Sequence, residues 1–351
     1  MSWISDIARP DIVALKPYEH ASWEPPLERL HANELPWRAT GDETDAGLNR
    51  YPEPQPRELV ARLAALYGAE PKQVLVGRGS DEAIDLLVRC FCRAGEDAVL
   101  VCPPTFGMYS VAARIQGADV VAVPLRAESG FSLDVDEILR QCTPRVKLVF
   151  LCSPNNPTGN LLNEADVLQI AARLEGRALV VVDEAYVEFA GVPSLIRRVK
   201  DLPQLAVMRT LSKSHGLAGA RCGTLVADPE IIALLRKVIP PYAITQLTVE
   251  TVLRLLESPQ LAVMHARIRE IQSERARVAE ALRALPDVKR VWPSDANFVL
   301  AEFADPERAL KAARAANLLI RDVRAQAGIN RSVRISIGTP DQNDRLLEAL
   351  R

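Results

Sequence analysis

Among the eight lysines of a chain that carries 35 arginines, Lys213 stands apart. It sits in Arg209-Thr-Leu-Ser-Lys-Ser-His-Gly216, just past an apolar run and between small hydroxylated residues. An amine that is to form a Schiff base needs an open approach and little crowding, which these neighbours give. The other seven lysines lie where surface lysines ordinarily do, and read alone Lys213 is equally a charged loop residue. Upstream, Val180-Val-Val-Asp-Glu-Ala-Tyr186 puts Asp183 at the end of a wholly apolar run, the place where open α/β sheets bind ligands. A carboxylate there needs a cation or strong hydrogen bonds to offset its desolvation, and Tyr186 can point the same way. Read alone, Asp183 also fits a helix cap.

Two further loops follow apolar runs. Ser153-Pro-Asn-Asn-Pro-Thr-Gly159 is fixed by two prolines and a glycine and presents the amides of Asn155 and Asn156; by itself it is an elaborate turn. Gly77-Arg-Gly-Ser-Asp81 is a strand-to-helix turn whose glycine and backbone N–H groups suit a phosphate at a helix N-terminus. The four loops are specific in combination, because each closes a strand of one sheet. They supply a phosphate cup, an amide, a strand-end carboxylate with a tyrosine, and a strand-end lysine. Pyridoxal phosphate uses all of them, through its phosphate, phenolic oxygen, ring nitrogen and aldehyde.

The elements that must hold these loops follow from periodicity. Residues 57–67 place Leu59, Val60, Leu63 and Leu66 at helical spacing before Gly68 stops the helix. Strand-like runs fall at 73–76, 98–102, 120–123, 147–152, 178–182, 205–209 and 223–227, with helices between several of them, as at 81–92 and 164–174. Short continuous apolar strands separated by helices imply a mostly parallel sheet buried on both faces, an α/β fold. The rhythm breaks at Pro240-Pro241. A long charged helical segment over 247–285 follows, then strand, helix, two strands and a last helix. The expected organisation is an N-terminal arm over 1–40, a large α/β domain over 41–245 and a smaller α+β domain over 246–351. Prolines and three tryptophans predict an irregular arm, laid over a partner or over the domain surface.

Composition narrows the function classes. Hydrophobic residues make up 48% and charged residues 25%, as in soluble globular chains. A net charge of −2 gives no field to recruit nucleic acid or an anionic membrane. No apolar run approaches the ~18 residues of a membrane span, and residues 1–10 lack a signal-peptide core, so a cytoplasmic protein is expected. Six cysteines in apolar segments, none in a C-x-x-C pair, read as buried thiols of a reducing compartment. Four scattered histidines offer no metal-ligand spacing, and no metal is expected.

Asn155-Asn-Pro-Thr-Gly159, Asp183-Glu-Ala-Tyr186 and Ser212-Lys-Ser214 with Gly219-Ala-Arg221 resemble the signature of the fold-type I, class II aminotransferases. Finer motifs resemble the histidinol-phosphate aminotransferase family in order over nearly the whole chain. They include Pro17-Tyr18, Ala32-Asn-Glu34, Leu48-Asn-Arg-Tyr-Pro52, Pro103-Pro-Thr-Phe-Gly-Met-Tyr109, Ile320-Arg-Asp322 and Val333-Arg-Ile-Ser336. Phe106 stands where that family often has tyrosine and His31 where it often has asparagine, and residues 323–331 are irregular against its pattern.

The resemblance implies a large domain with a mostly parallel sheet between helices, a smaller α+β domain, and pyridoxal 5'-phosphate carried on Lys213. It places Asp183 at the pyridinium nitrogen, Asn156 and Tyr186 at the phenolic oxygen, and Phe106 on the ring face. Ser80, Asp81, Ser212 and Arg221 would surround the phosphate, with Thr210 beside them. Tyr51 would reach the cofactor of a neighbouring subunit in a homodimer. Arg334, Arg321, Tyr18 and Asn33 would bind substrate, although Arg321 alone also reads as a surface ion pair. The implied reaction is transamination of L-histidinol phosphate with 2-oxoglutarate. An aromatic amino acid aminotransferase or a threonine-phosphate decarboxylase shares much of the pattern. A non-catalytic regulator would need a DNA-binding domain, for which the chain has no spare length.

Overall fold

The computed structural model describes every residue except 1, 22, 23 and 25; Trp23 and Pro25 of the arm lie outside the described residues. Seven strands form the large sheet: β1 (Val74–Gly77), β2 (Ala98–Val101), β3 (Asp119–Ala122), β4 (Val146–Cys152), β5 (Leu179–Asp183), β6 (Leu205–Thr210) and β7 (Gly223–Val226). Their order is β1-β7-β6-β5-β4-β2-β3. The pairs from β3 through to β6 are parallel, while β7 runs against both β6 and β1. The mostly parallel sheet is present, with one reversed strand that apolar pattern alone does not distinguish. Because β1 and β6 both oppose β7, β1 points the same way as β4, β5 and β6, and these four open their C-terminal ends on one edge.

Side-chain alternation explains why these strands read as unbroken apolar runs. Val180 and Val182 of β5 enter one hydrophobic layer, with Leu59, Leu63 and Val207. Leu179 and Val181 enter the other, with Leu87, Phe91, Phe150 and Met208. Each face of the sheet is covered, so both side-chain sets must be apolar. The helix Arg57–Tyr67 ends at Gly68, whose φ of 68° is the left-handed stop glycine provides.

The smaller sheet is antiparallel throughout, in the order β10-β11-β9-β8, from β8 (Val288–Val291), β9 (Phe298–Phe303), β10 (Arg321–Asp322) and β11 (Ser332–Ser336). Its inner face, including Val299, Ala301, Val333 and Ile335, packs on Val278, Leu282 and Leu346. Strand β8, Val-Lys-Arg-Val, escaped the sequence reading because its two central residues are charged and exposed.

Several expectations need correction. The arm is not irregular at its start: Trp3–Ile7 and Pro10–Ala14 are helical, and Ile4, Ile7 and Ala8 are buried in the large-domain core. Lys237 Nζ ties this region down by donating to the Val13 carbonyl at 2.7 Å. Neither Lys237 nor Lys147, whose largely buried amine lies 4.0 Å from Asp97, is an ordinary surface lysine. The segment over 247–285 is two helices, Gln246–Leu255 and Ser258–Arg283, with Pro259 in the first turn of the second. Val249, Val252 and Leu256 of the first of these helices belong to the large-sheet core. All six cysteines are buried free thiols. Among the described residues no helix is long and apolar enough to cross a membrane, and no His/Cys/Asp/Glu group is disposed to hold a metal.

Candidate active site

β1 ends at Gly77, Gly79 takes a φ of 84°, and the helix Ser80–Phe91 begins without a side-chain cap. Its first-turn N–H groups are open to an anion. The facing wall is the start of β7. A Cβ on Gly223 would stand 2.3 Å from the Gly79 carbonyl carbon and 2.5 Å from the Ser80 nitrogen, so only glycine permits the approach. Arg221, itself left-handed with φ 54°, lies over this cup and donates from Nη2 to Asp81 Oδ2 at 3.3 Å. Behind the turn the buried Glu82 accepts the Arg78 backbone N–H at 2.7 Å and the Arg78 Nε at 2.9 Å.

β5 delivers Asp183 to the same edge, almost wholly buried. Its Oδ2 accepts the Tyr109 hydroxyl at 2.7 Å and its Oδ1 the Ala185 N–H at 3.1 Å. Among the described residues no cation forms an ion pair with it. Burial pushes its carboxyl above the usual range, against those two hydrogen bonds. A buried carboxylate held by donors but lacking a counter-charge suits a ligand that brings its own N–H⁺.

The loop after β4 divides its two asparagines between tasks. Asn155 braces the loop, donating to the Pro104 carbonyl at 2.8 Å and the Thr158 hydroxyl at 2.6 Å. Asn156 faces the site: Nδ2 donates to the Tyr186 hydroxyl at 3.3 Å, and Oδ1 accepts Arg334 Nη1 at 2.5 Å. The smaller domain clasps this loop, with the Asp295 N–H on the Gly159 carbonyl at 2.7 Å. Tyr186 packs edge-on against Phe298, 5.1 Å between centroids.

Lys213 follows β6, with Nζ 5.7 Å from the Tyr186 ring centroid. Burial first, then the Arg334 charge, holds its amine below the usual lysine range, against Asp183 and Asp81. A lowered pKa leaves more neutral, nucleophilic amine at a given pH.

Between these ends lies a cavity of about 140 Å³, lined by every expected cofactor-binding residue except Tyr51. Phe106, Thr210 and Ser212 complete its wall, and Phe106 meets Tyr109 edge-on at 5.6 Å. The uncapped helix end, the glycine-only approach at Gly223 and the cation-less Asp183 fit the phosphate and the ring nitrogen of pyridoxal phosphate.

The expected substrate residues are placed differently. Arg334 on β11 is half-buried, its Nε finds no hydrogen-bond partner among the described residues, and Arg321 on β10 is its direct cross-strand neighbour. Burial and Arg321 both push the Arg334 guanidinium below its usual range. Tyr18 is 72% exposed and lines a separate groove with Arg57 and Lys72. Asn33 is exposed with φ 56°, and Tyr51 is half-exposed, stacked on Tyr242 at 4.5 Å. The chain does not bring Tyr18, Asn33 or Tyr51 to its own cavity. Sequence reasoning gave no role to Tyr109 or Gly223. A tyrosine in an otherwise apolar helix face was the available sign of the first, since a buried phenol needs a polar partner.

Residues 27–350 match the family of class I and II aminotransferases. The chain is 47% identical to the histidinol-phosphate aminotransferase of Xanthomonas euvesicatoria pv. vesicatoria, over 99% of this chain and 97% of that one. It is 48% identical to the same-named protein of Xylella fastidiosa, over 92% and 88%. Among solved structures, the histidinol-phosphate aminotransferase of Sinorhizobium meliloti in complex with pyridoxal-5'-phosphate superposes with a TM-score of 0.78 at 25% identity, covering 86% of this chain and 82% of that one.

Proposed function

The chain belongs to the class I and II aminotransferases, and from that premise we propose that it transfers the amino group of L-histidinol phosphate to 2-oxoglutarate. The products are imidazole-acetol phosphate and L-glutamate, a step of histidine biosynthesis. Pyridoxal phosphate, when bound, supplies an aldehyde for the substrate amine and a ring that accepts electrons. Lys213 would hold it covalently, and its amine, with a lowered pKa, would suit taking the proton from the carbon that bears the substrate amine. Asp183 keeps a proton on the ring nitrogen. Asn156 and Tyr186 would meet the phenolic oxygen, Phe106 would pack on the ring, and the first turn of Ser80–Phe91 with Ser212 and Arg221 would hold the phosphate, all of them lining the cavity.

The observation that carries the substrate reading is the Arg321–Arg334 pair. Two like charges directly across a strand pair repel, and a dianion between them removes the repulsion. The same arginines accept the carboxylate of glutamate in the second half-reaction. A single-turnover experiment tests this: the loaded enzyme is mixed with L-histidinol phosphate, phenylalanine, glutamate or O-phosphothreonine while cofactor absorbance is followed. Fast conversion with histidinol phosphate and slow conversion with phenylalanine is expected. Faster conversion with phenylalanine, or carbon dioxide release from phosphothreonine, would overturn the substrate assignment.

The enzyme works as a cytoplasmic homodimer in which Tyr51, Tyr18 and Asn33 serve the neighbouring subunit's site. Supporting this, all three are exposed and none lines the cavity of its own chain, and the arm between them displays Leu27, Leu30 and Trp37 to solvent. Light scattering should give the mass of two chains. Mixed dimers of Lys213→Ala and Tyr51→Ala chains should recover activity that neither parent has.

A further inference from the structure

Behind Asp183 the sheet carries a second set of charges that the reaction does not touch. Arg209, the last but one residue of β6, is 7% exposed and points to the opposite face from Asp183. Its Nη2 donates to Glu188 Oε1 at 2.7 Å, and its Nη1 lies 3.6 Å from Glu184 Oε2. The Tyr67 ring covers the guanidinium at 4.6 Å. Glu184 is 3% exposed and also accepts the Leu195 N–H at 2.7 Å and the Ser194 hydroxyl. Among the described residues, Arg209 Nε and Glu188 Oε2 are buried without a hydrogen-bond partner.

The sequence positions give the cluster its meaning. Glu184 directly follows Asp183, and Glu184 and Glu188 flank Tyr186 by two residues on either side. Arg209 directly precedes Thr210 and stands four residues before Lys213. We propose that Arg209 is a positioning residue, which fixes from the far side of the sheet the turn presenting Asp183 and Tyr186 against the strand end presenting Lys213. A buried ion pair of this kind adds little stability over an apolar replacement, so geometry is the property it supplies. The parallel β5–β6 ladder alone stops at the Asp183–Met208 register and leaves the turn beyond it unpaired to β6 except through the Glu184 N–H on the Met208 carbonyl. The two carboxylates on Arg209 extend that hold across Tyr186.

The proposal rests on the aminotransferase reading and is tested on the full-length protein loaded with pyridoxal phosphate. Arg209→Met combined with Glu184→Gln and Glu188→Gln removes every charge of the cluster together with the guanidinium's donors, while keeping approximate shape and leaving each glutamine an amide oxygen to accept the neighbouring donors. It should melt, without cofactor, within ~4 °C of the parent. Its kcat should fall ~10-fold or more, with KM for the amino donor within ~3-fold, and the cofactor's induced circular dichroism should weaken. Parental kcat and dichroism in this variant would overturn the proposal, and so would losses of kcat and dichroism that merely track a lowered melting temperature, the mark of a structural role. Arg209→Lys decides the matter if the triple variant does not fold. An ammonium keeps the charge but not the two-sided fork, so kcat and dichroism should again drop, and parental values for both would overturn the proposal. A parent protein that takes up no pyridoxal phosphate would refute the functional reading instead, before any variant is made.

Discussion

The Tyr109 hydroxyl donates to Asp183 Oδ2 at 2.7 Å, joining a helix on one face of the sheet to the carboxylate at the sheet's edge. Tyr109 is fully buried and stacked on Phe150, centroids 4.8 Å apart and rings 3° from parallel, so its ring fixes where the hydroxyl can point. Tyr109→Phe keeps the stack and deletes the donor. Loss of one hydrogen bond to a charged acceptor is worth ~1.5–3 kcal/mol, so cofactor affinity should fall by roughly 10- to 100-fold, as read by fluorescence titration with pyridoxal phosphate.

Asp183 should destabilise the cofactor-free protein at neutral pH. Its folded-state pKa is raised, so the unfolded chain ionises first as pH increases. Below the ordinary carboxylate range both states are protonated and the residue costs nothing; the penalty grows as pH rises toward the folded-state pKa. Asp183→Asn should therefore raise the melting temperature of the cofactor-free protein at pH 8, with no gain near pH 4 (about the unperturbed carboxyl pKa), while turnover falls ~100-fold or more. Thermal scans at the two pH values check the sign.

Arg334 acts on Lys213 at a distance as well as on substrate. Its charge is the largest electrostatic influence lowering the Lys213 pKa, after burial. Arg334→Gln should shift the pH dependence of cofactor uptake upward, because the amine then keeps its proton to higher pH. KM for both histidinol phosphate and glutamate should rise by more than ~10-fold, the cost of losing a charged anchor. Stopped-flow uptake across pH and steady-state kinetics separate the two effects.

Gly223→Ala should damage the phosphate cup selectively. The added carbon would collide with the backbone of Gly79 and Ser80, which no side-chain rotation relieves. Pyridoxal phosphate affinity is expected to drop ~100-fold as backbone donors leave their positions, whereas pyridoxal without its phosphate should bind nearly as before. Parallel titrations with the two compounds test this.

The sheet was legible because both of its faces are buried, which leaves apolar runs with no polar interruption. Strand ends mattered most, and Gly77, Asp183 and Thr210 all close strands within a residue or two of where the apolar runs stop. The reversal of β7 was not legible, since Gly-Thr-Leu-Val carries no sign of direction. The helical start of the arm was hidden by prolines, although Pro10 sits at the first helical position, where a missing N–H costs nothing. Within the site, residues bearing obvious chemistry were found and their supports were not. Tyr109, Gly223 and Arg209 act through packing, close approach and burial, properties of the folded chain that spacing in sequence does not display.

The six buried thiols turn the large domain into its own stopwatch. Cys102, Cys142 and Cys222 lie in the layer on one face of the sheet, and Cys90, Cys92 and Cys152 in the layer on the other. Burial pushes Cys90, Cys92, Cys102 and Cys222 up to about 12, so none reacts with a thiol reagent until the layer around it opens. Mass-resolved labelling would time the opening of each face separately, with no engineered probe. The face whose clock slows most when cofactor is added is the one through which the bound group braces the fold.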